Sequence, residues 1–283
     1  MKGISTIGIV GAGKVGASLG AYLLGKAVAV TGFYDVSEQQ ARSAAERTKT
    51  RCYASLQELL AGNAVVLITV PDDLIGSVWA ECRRYPLEGK SFFHCSGVMG
   101  SDVFAGHAEA GVHVGSMHPV CAVSNRVSEA VFSGKFFVLE GDQTGLEMMK
   151  SLMTTTGNDH RVIPTEQKAR YHAAAVASSN LFCALADMAE SWMQDCDFDA
   201  QTAHELLTPL MLGNMEHIAE QGVVNALTGP VERNDVGTVA KHLAVLEGND
   251  RELYRLLSLR LVELARQKHP DTDFTNLLNV LMK

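Results

Sequence analysis

Two groups of residues in this 283-residue sequence have the types and spacing to do chemistry. The first is Gly11-Ala12-Gly13-Lys14-Val15-Gly16. In a G-x-G-x-x-G run the first glycine permits a tight turn and the second lets backbone N–H groups approach a pyrophosphate. The third lets the following helix pack close to its strand, and the helix N-terminus adds partial positive charge. The pattern alone is common, and a plain tight turn is the simpler alternative. Here it follows an apolar strand-like run near the start of the chain and opens a helical pattern, which is the context that dinucleotide binding requires.

The second group lies in Glu166-Gln167-Lys168-Ala169-Arg170-Tyr171-His172 and the Ala-rich stretch that follows it to Asn180. At helical spacing Lys168, His172 and Ser179 fall within about 40° of one another, with Asn180 on the flank of that face. Hydride transfer to a carbonyl or imine leaves charge on the heteroatom, so a partner to a dinucleotide must bring proton and hydrogen-bond donors. His172, Lys168 and Asn180 are the expected catalytic set. Each also has a structural alternative: Lys168 solvated at a helix start, His172 a satisfied core histidine, Asn180 bonded to a neighbouring helix.

Other candidates sit at strand ends. Asp35, about twenty residues beyond the glycine loop, is placed to accept both ribose hydroxyls, which tilts the cofactor toward NAD over NADP. A turn-initiating Asp before Ser37 is the alternative. Val70-Pro71-Asp72-Asp73 and His94-Cys95-Ser96-Gly97 end strands on the same sheet edge, so Val70, Pro71, Ser96 and Gly97 are expected beside the nicotinamide half. Ser96 and Gly97 are also expected to orient the substrate. His118, in a strand-ending His-Pro turn, and Arg233, in the loop Leu227 to Asp235 with its carboxylate-matching fork, are candidate substrate contacts. Thr228 or Asp235 as a helix cap is the competing use of that loop.

The elements that must position these groups follow from the hydrophobic pattern. Through residue 163 short Val-, Ile- and Phe-rich runs alternate with helical periods, predicting a doubly wound, mainly parallel Rossmann sheet. Strands are expected at Ile4–Val10, Val28–Tyr34, Ala64–Val70, Ser91–Cys95, Val112–Ser116, Phe136–Leu139 and His160–Ile163. Helices are expected at Gly13–Leu24, Glu38–Thr48, Leu56–Ala61, Leu74–Arg84 and Thr144–Thr156. Residues 164–283 read as a second, all-helical domain broken at Gly213, near Thr228-Gly229-Pro230 and at Pro270.

Composition narrows the function classes. With 47% apolar and 20% charged residues the chain has enough apolar material for sizeable cores. A formal charge of -8 and the lack of any basic run argue against nucleic acid as a partner. The six cysteines are scattered without metal-ligand spacing, no metal cluster emerges, and the most apolar helical stretch is too short for a bilayer. A cytoplasmic location is expected, with no signal peptide, no membrane contact and a small anionic molecule as ligand.

Six segments together resemble a known group. They are the glycine loop, Val70-Pro71-Asp72-Asp73, His94-Cys95-Ser96-Gly97, Ser116-Met117-His118-Pro119, Tyr171-His172-Ala173-Ala174-Ala175 and Leu227-Thr228-Gly229-Pro230. The chain resembles Rossmann-like oxidoreductases with an uncharacterised helical C-terminal domain, relatives of 6-phosphogluconate dehydrogenase, pyrroline-carboxylate reductase and ketopantoate reductase. The resemblance implies a 6-phosphogluconate dehydrogenase-like helical domain for substrate binding, a cleft between two domains and dimerisation through the helical part. It places His172 where ketopantoate reductases carry a catalytic lysine and Asn180 where they carry an asparagine. Val176 stands in place of their second asparagine. It implies NAD(P)H-dependent reduction of a small 2-keto acid, with a preference for NADPH that Asp35 opposes. Reduction of an imine of the pyrroline-carboxylate type, and a dinucleotide sensor without turnover, are the other readings.

Overall fold

The computed structural model describes residues 6–123 and 128–283, so Ile4 of the expected first strand lies outside the described residues. The chain divides into two compact units, 1–180 and 181–283.

The first unit is built on eight strands: β1 (Ile7–Val10), β2 (Val30–Tyr34), β3 (Arg51–Cys52), β4 (Val65–Ile68), β5 (Ser91–His94), β6 (His113–Pro119), β7 (Phe137–Gly141) and β8 (His160–Val162). They form one sheet in the order β3-β2-β1-β4-β5-β6-β7-β8, parallel throughout except for the antiparallel pair β6–β7. The order reverses between β1 and β4, which makes the carboxyl ends of those strands the place where such sheets bind ligands. β1 and β4 read Ile-Gly-Ile-Val and Val-Val-Leu-Ile and are buried on both sides, as central parallel strands must be. Alternation divides them between two cores. Ile7, Ile9, Val65 and Leu67 face one layer, while Val10, Val66 and Ile68 face the other.

Helices α1 (Lys14–Gly25), α2 (Glu38–Thr48), α3 (Leu56–Gly62), α4 (Asp72–Cys82) and α5 (Gln143–Thr156) follow the strands. Ser37, Ser55 and Asp142 cap α2, α3 and α5 with side-chain oxygens. The two-residue β3 was not expected from the sequence, since a pair of residues carries no readable period.

A further helix, α6 (Lys168–Ala177), also belongs to this unit, past the division expected at residue 163. The second unit holds α7 (Asn180–Gln194, its first residue closing the first unit), α8 (Ala200–Ala226), α9 (Val236–Val245), α10 (Gly248–Lys268) and α11 (Thr275–Leu281). Its core gathers Val231, Val239, Val262, Phe274, Leu277 and Leu281, from α9 to α11 and the turn before α9. The break expected at Gly213 is corrected. α8 runs through Gly213 and also through Pro209, and the non-helical residue is Gly222 at φ 76, ψ 163. A glycine inside a helix costs about 1 kcal/mol but does not by itself stop the helix. Among the described residues no helix is long and apolar enough to cross a membrane.

Candidate active site

The glycine loop leaves β1 and enters α1 at the reversal of strand order. Gly11 adopts φ +98, and a Cβ there would meet the Thr69–Val70 backbone at 2.9 Å. A Cβ at Gly16 would stand 2.0 Å from the Gly11 carbonyl oxygen and 2.4 Å from Thr69 Oγ1, so only glycine closes this turn. At Gly13 a Cβ would meet nothing within 4 Å, and Gly13 caps α1 without any side-chain hydrogen bond. An open surface over an uncapped helix N-terminus is what a pyrophosphate needs. The residues present therefore fit the diphosphate of a dinucleotide.

Asp35 is tied into this loop. Its Oδ2 accepts from Ala12 N at 2.7 Å, and its Oδ1 accepts from Ser37 N at 2.8 Å. The second bond is the turn-initiating role weighed in the sequence; the first joins the end of β2 to the glycine loop. Both oxygens keep a free lone pair.

A groove of about 500 Å³ runs from the loop along the sheet edge. Gly13, Lys14, Val15, Val70, Pro71 and Ser96 line it, together with His118 and Asp72. Cys95 also lines it, and burial pushes that thiol up to about 12, so it offers no thiolate at neutral pH.

Past the groove, α6 docks three side chains on the ends of β5 and β6. Lys168, Tyr171 and His172 are spaced i, i+3 and i+4, one helical face. Lys168 is fully buried, and its Nζ donates to Ser96 O at 3.1 Å and Ser116 Oγ at 2.6 Å. Burial pulls it down to about 8 against the opposing pull of Glu140 and Asp72. The structural alternative for Lys168, solvation at a helix start, is not met. Ser116 passes its own hydrogen bond to Glu140 at 3.2 Å, and that buried carboxylate also accepts from Ser101 N, Ser101 Oγ and Thr165 Oγ1.

His118 Nδ1 lies 2.6 Å from the Tyr171 hydroxyl, and the His118 and His172 rings meet edge to face at 5.9 Å. Both rings crowd Gly97. A Cβ there would stand 2.4 Å from His172 Cδ2 and 2.9 Å from His118 Nε2. Desolvation, then the Lys168 ammonium and the neighbouring His172, pull His118 down to about 4, so it is neutral at neutral pH. The turn itself is pinned from below: Ser96 N donates to His94 Nδ1, and His94 Nε2 bonds Gly100 O at 3.1 Å. His94 is fully buried, and desolvation lowers it to about 4. Ser96 Oγ donates to Asp72 Oδ2 at 2.7 Å.

The structure thus brings Lys168, His172, Ser96, Gly97 and His118 together. The expected single helical face from Lys168 to Asn180 is corrected. The hydroxyls of Ser178 and Ser179 both bond back to Ala175 O, competing for helix acceptors as α6 ends. Asn180 starts α7, exposed, with Ser179 Oγ on its Oδ1. Arg233 belongs to the second unit, where its side chain is exposed, and Asp235 caps α9 through Thr238 N.

Tyr171, Ser116 and Asp72 lie in segments quoted from the sequence but were given no role in the site, and Glu140 was not noted at all. One signal was present: Ser116 and His118 are two apart on β6 and so share a face, with Met117 turned to the core.

Comparison with known proteins agrees with this fold. Residues 2–119 match a Rossmann-like domain, and residues 135–261 match a domain of unknown function, DUF2520. No curated protein sequence matches. Among solved structures, protein TM1727 of Thermotoga maritima is 26% identical over 93% of this chain and 99% of its own, with a TM-score of 0.73. A Bacteroides fragilis protein described as an NADP oxidoreductase is 23% identical over 92% of this chain and 98% of its own, TM-score 0.69. Plasmodium falciparum pyrroline carboxylate reductase, solved with NADP bound, is 13% identical over 93% and 96%, TM-score 0.57. The Rossmann-like match is thus followed by the DUF2520 match, which starts just before β7 and ends within α10, and the chain shares the fold of these solved structures.

Proposed function

We propose that this protein is an NAD(P)H-dependent oxidoreductase that reduces the C=O group of a small anionic metabolite, a 2-keto acid being the favoured class. One observation carries the reading: His118, whose ring meets that of His172 beside Gly97, lines a groove that also reaches an uncapped, glycine-lined helix N-terminus. The glycine loop and Lys14 would hold the dinucleotide diphosphate, and Asp35 its adenine ribose, with NAD favoured because a 2'-phosphate would face the Asp35 carboxylate. When bound, the reduced nicotinamide supplies the hydride.

The residues of this chain do the rest. As a carbonyl carbon gains hydride, its oxygen becomes basic, and His172 delivers the proton. His118 and the Ser96–Gly97 turn orient the carbonyl or its neighbouring carboxylate. Lys168, fully buried, is not a direct donor; it holds the Ser96 carbonyl and sets the electrostatics of His118.

Asp72 favours a second reading. It lines the groove beside Ser96, and a carboxylate there would stabilise the cation of a C=N substrate. Cofactor oxidation with 2-keto acids and with cyclic imines, in wild type and His172→Ala, separates the readings. Keto-acid turnover falling by about 10² in the variant supports the first; imine turnover alone supports the second; tight cofactor binding without turnover points to a sensor.

The same reading includes a homodimer. α8 leaves Leu206, Leu210, Leu212, Met215 and Val223 exposed, and its few charges are acidic, so a second copy's apolar face is the partner that fits. Light scattering after gel filtration gives twice the chain mass if this holds, and Leu210→Glu shifts it to one.

A further inference from the structure

Among the described residues His118 is the one groove-lining imidazole, and its protonation geometry is set by a neighbour that the mechanism above leaves unused. We propose that Tyr171 donates its phenolic hydrogen to His118 Nδ1, locking His118 as the neutral Nε2–H tautomer, a fixed hydrogen-bond donor for a substrate oxygen. This rests on the reductase reading and sharpens its substrate class.

The geometry carries the inference. A 2.6 Å separation is a strong hydrogen bond, and the two rings stand nearly perpendicular with centroids 5.6 Å apart. A neutral imidazole has one donor and one acceptor nitrogen, so whichever role Nδ1 takes, Nε2 takes the other. Among the described residues the Tyr171 hydroxyl has no other hydrogen-bond partner, so its hydrogen is satisfied within the protein only by donation to Nδ1. Burial raises Tyr171 to about 12, so the hydrogen stays on the phenol at neutral pH. The groups facing His118 are Tyr171, His172 and Lys168 from α6 and Asp72 from α4. Lys168 and His172 oppose a charge on the ring, and the single carboxylate favours it less than they oppose it.

The consequence concerns selection. Nε2 lies on the Gly97 side, where the absence of a side chain leaves room. An N–H fixed there pairs with a carbonyl or carboxylate oxygen and is left opposed by the N–H of a protonated imine. His118 therefore acts as a specificity-determining donor and Tyr171 as the positioning residue behind it.

Long-range ¹H–¹⁵N correlation spectra of histidine-labelled protein test the tautomer without any turnover. The wild type is expected to show an unprotonated Nδ1 and a protonated Nε2 for His118 from pH 6 to 8, assigned by its loss in His118→Gln. In Tyr171→Phe both tautomers appear, and kcat/KM for a keto acid falls roughly ten-fold, the worth of one oriented hydrogen bond. His118→Gln, which keeps an N–H at the Nε2 place, retains more of that activity than His118→Asn. A protonated Nδ1 in the wild-type spectrum overturns the proposal even if Tyr171→Phe does not fold. The expected spectrum without turnover of any carbonyl would overturn the reductase reading instead and leave the tautomer in place.

Discussion

The glycine loop and His118 line one groove, yet the loop and the imidazole pair that His118 forms with His172 are built differently. The loop owes its shape to backbone packed on backbone, with Gly16 against the Gly11 carbonyl and Gly11 against the Thr69–Val70 peptide. The pair and the turn beneath it are assembled from β6, α6 and the residues after β5, held by side-chain hydrogen bonds of Lys168, Tyr171 and His94. Contacts of the first kind are rigid and unforgiving of added atoms. Those of the second are adjustable, and tuned by burial and charge. The difference teaches which substitutions act on the fold and which act on the chemistry.

The largest effect is expected at Gly16. Gly16→Ala forces a Cβ into backbone that has no way to retreat, and a loss of about 3 kcal/mol or more should appear as a lowered midpoint in urea unfolding. Lys168→Ala comes next. It empties a fully buried position and leaves the Ser96 carbonyl without its donor, a cost of about 2–4 kcal/mol by the same measurement. It should also raise the pH at which His118 titrates, because the ammonium that opposes protonation is gone.

Gly97→Ala should sharpen the contrast. The new methyl meets side chains that can swing away, so stability changes by about 1–2 kcal/mol, while displacement of both rings lowers kcat/KM by about 10².

A pH dependence separates the two regions without any substitution. His94 and His118 are both lowered to about 4 in the folded protein from an ordinary 6.5. Between those values the unfolded chain binds more protons than the folded one, so stability falls on acidification from 6.5 to 4. Each histidine contributes a slope of up to about 1.4 kcal/mol per pH unit. His118→Asn should flatten part of that slope in unfolding curves taken across the window; an unchanged slope would show that the ring is not desolvated.

The same contrast explains what the sequence made legible. The glycine loop and Asp35 are local in the chain, so spacing alone located them. The strands of the sheet carried continuous apolar runs, and all but β3 could be read. On α6 the spacing of Lys168 and His172 was visible, but their partners were not. Ser96, Ser116 and His118 come from distant segments, and only the strand order of the sheet brings them alongside. The helical face drawn as far as Asn180 failed because two serine hydroxyls end the helix first. A break expected at Gly213 fell at Gly222, since composition marks where a helix is weak and not where it bends.

Gly13 gives the most direct test of the central claim that this groove holds a dinucleotide. Its Cβ position is open, so Gly13→Ala should unfold at the wild-type temperature while placing a methyl where a pyrophosphate would lie. Calorimetric titration of NADH and NADPH into both proteins is the measurement. The account predicts binding to the wild type, tighter for NADH, and at least a roughly ten-fold weakening in the variant at unchanged Tm. Equal affinity in the two proteins, or no binding to the wild type, would contradict it.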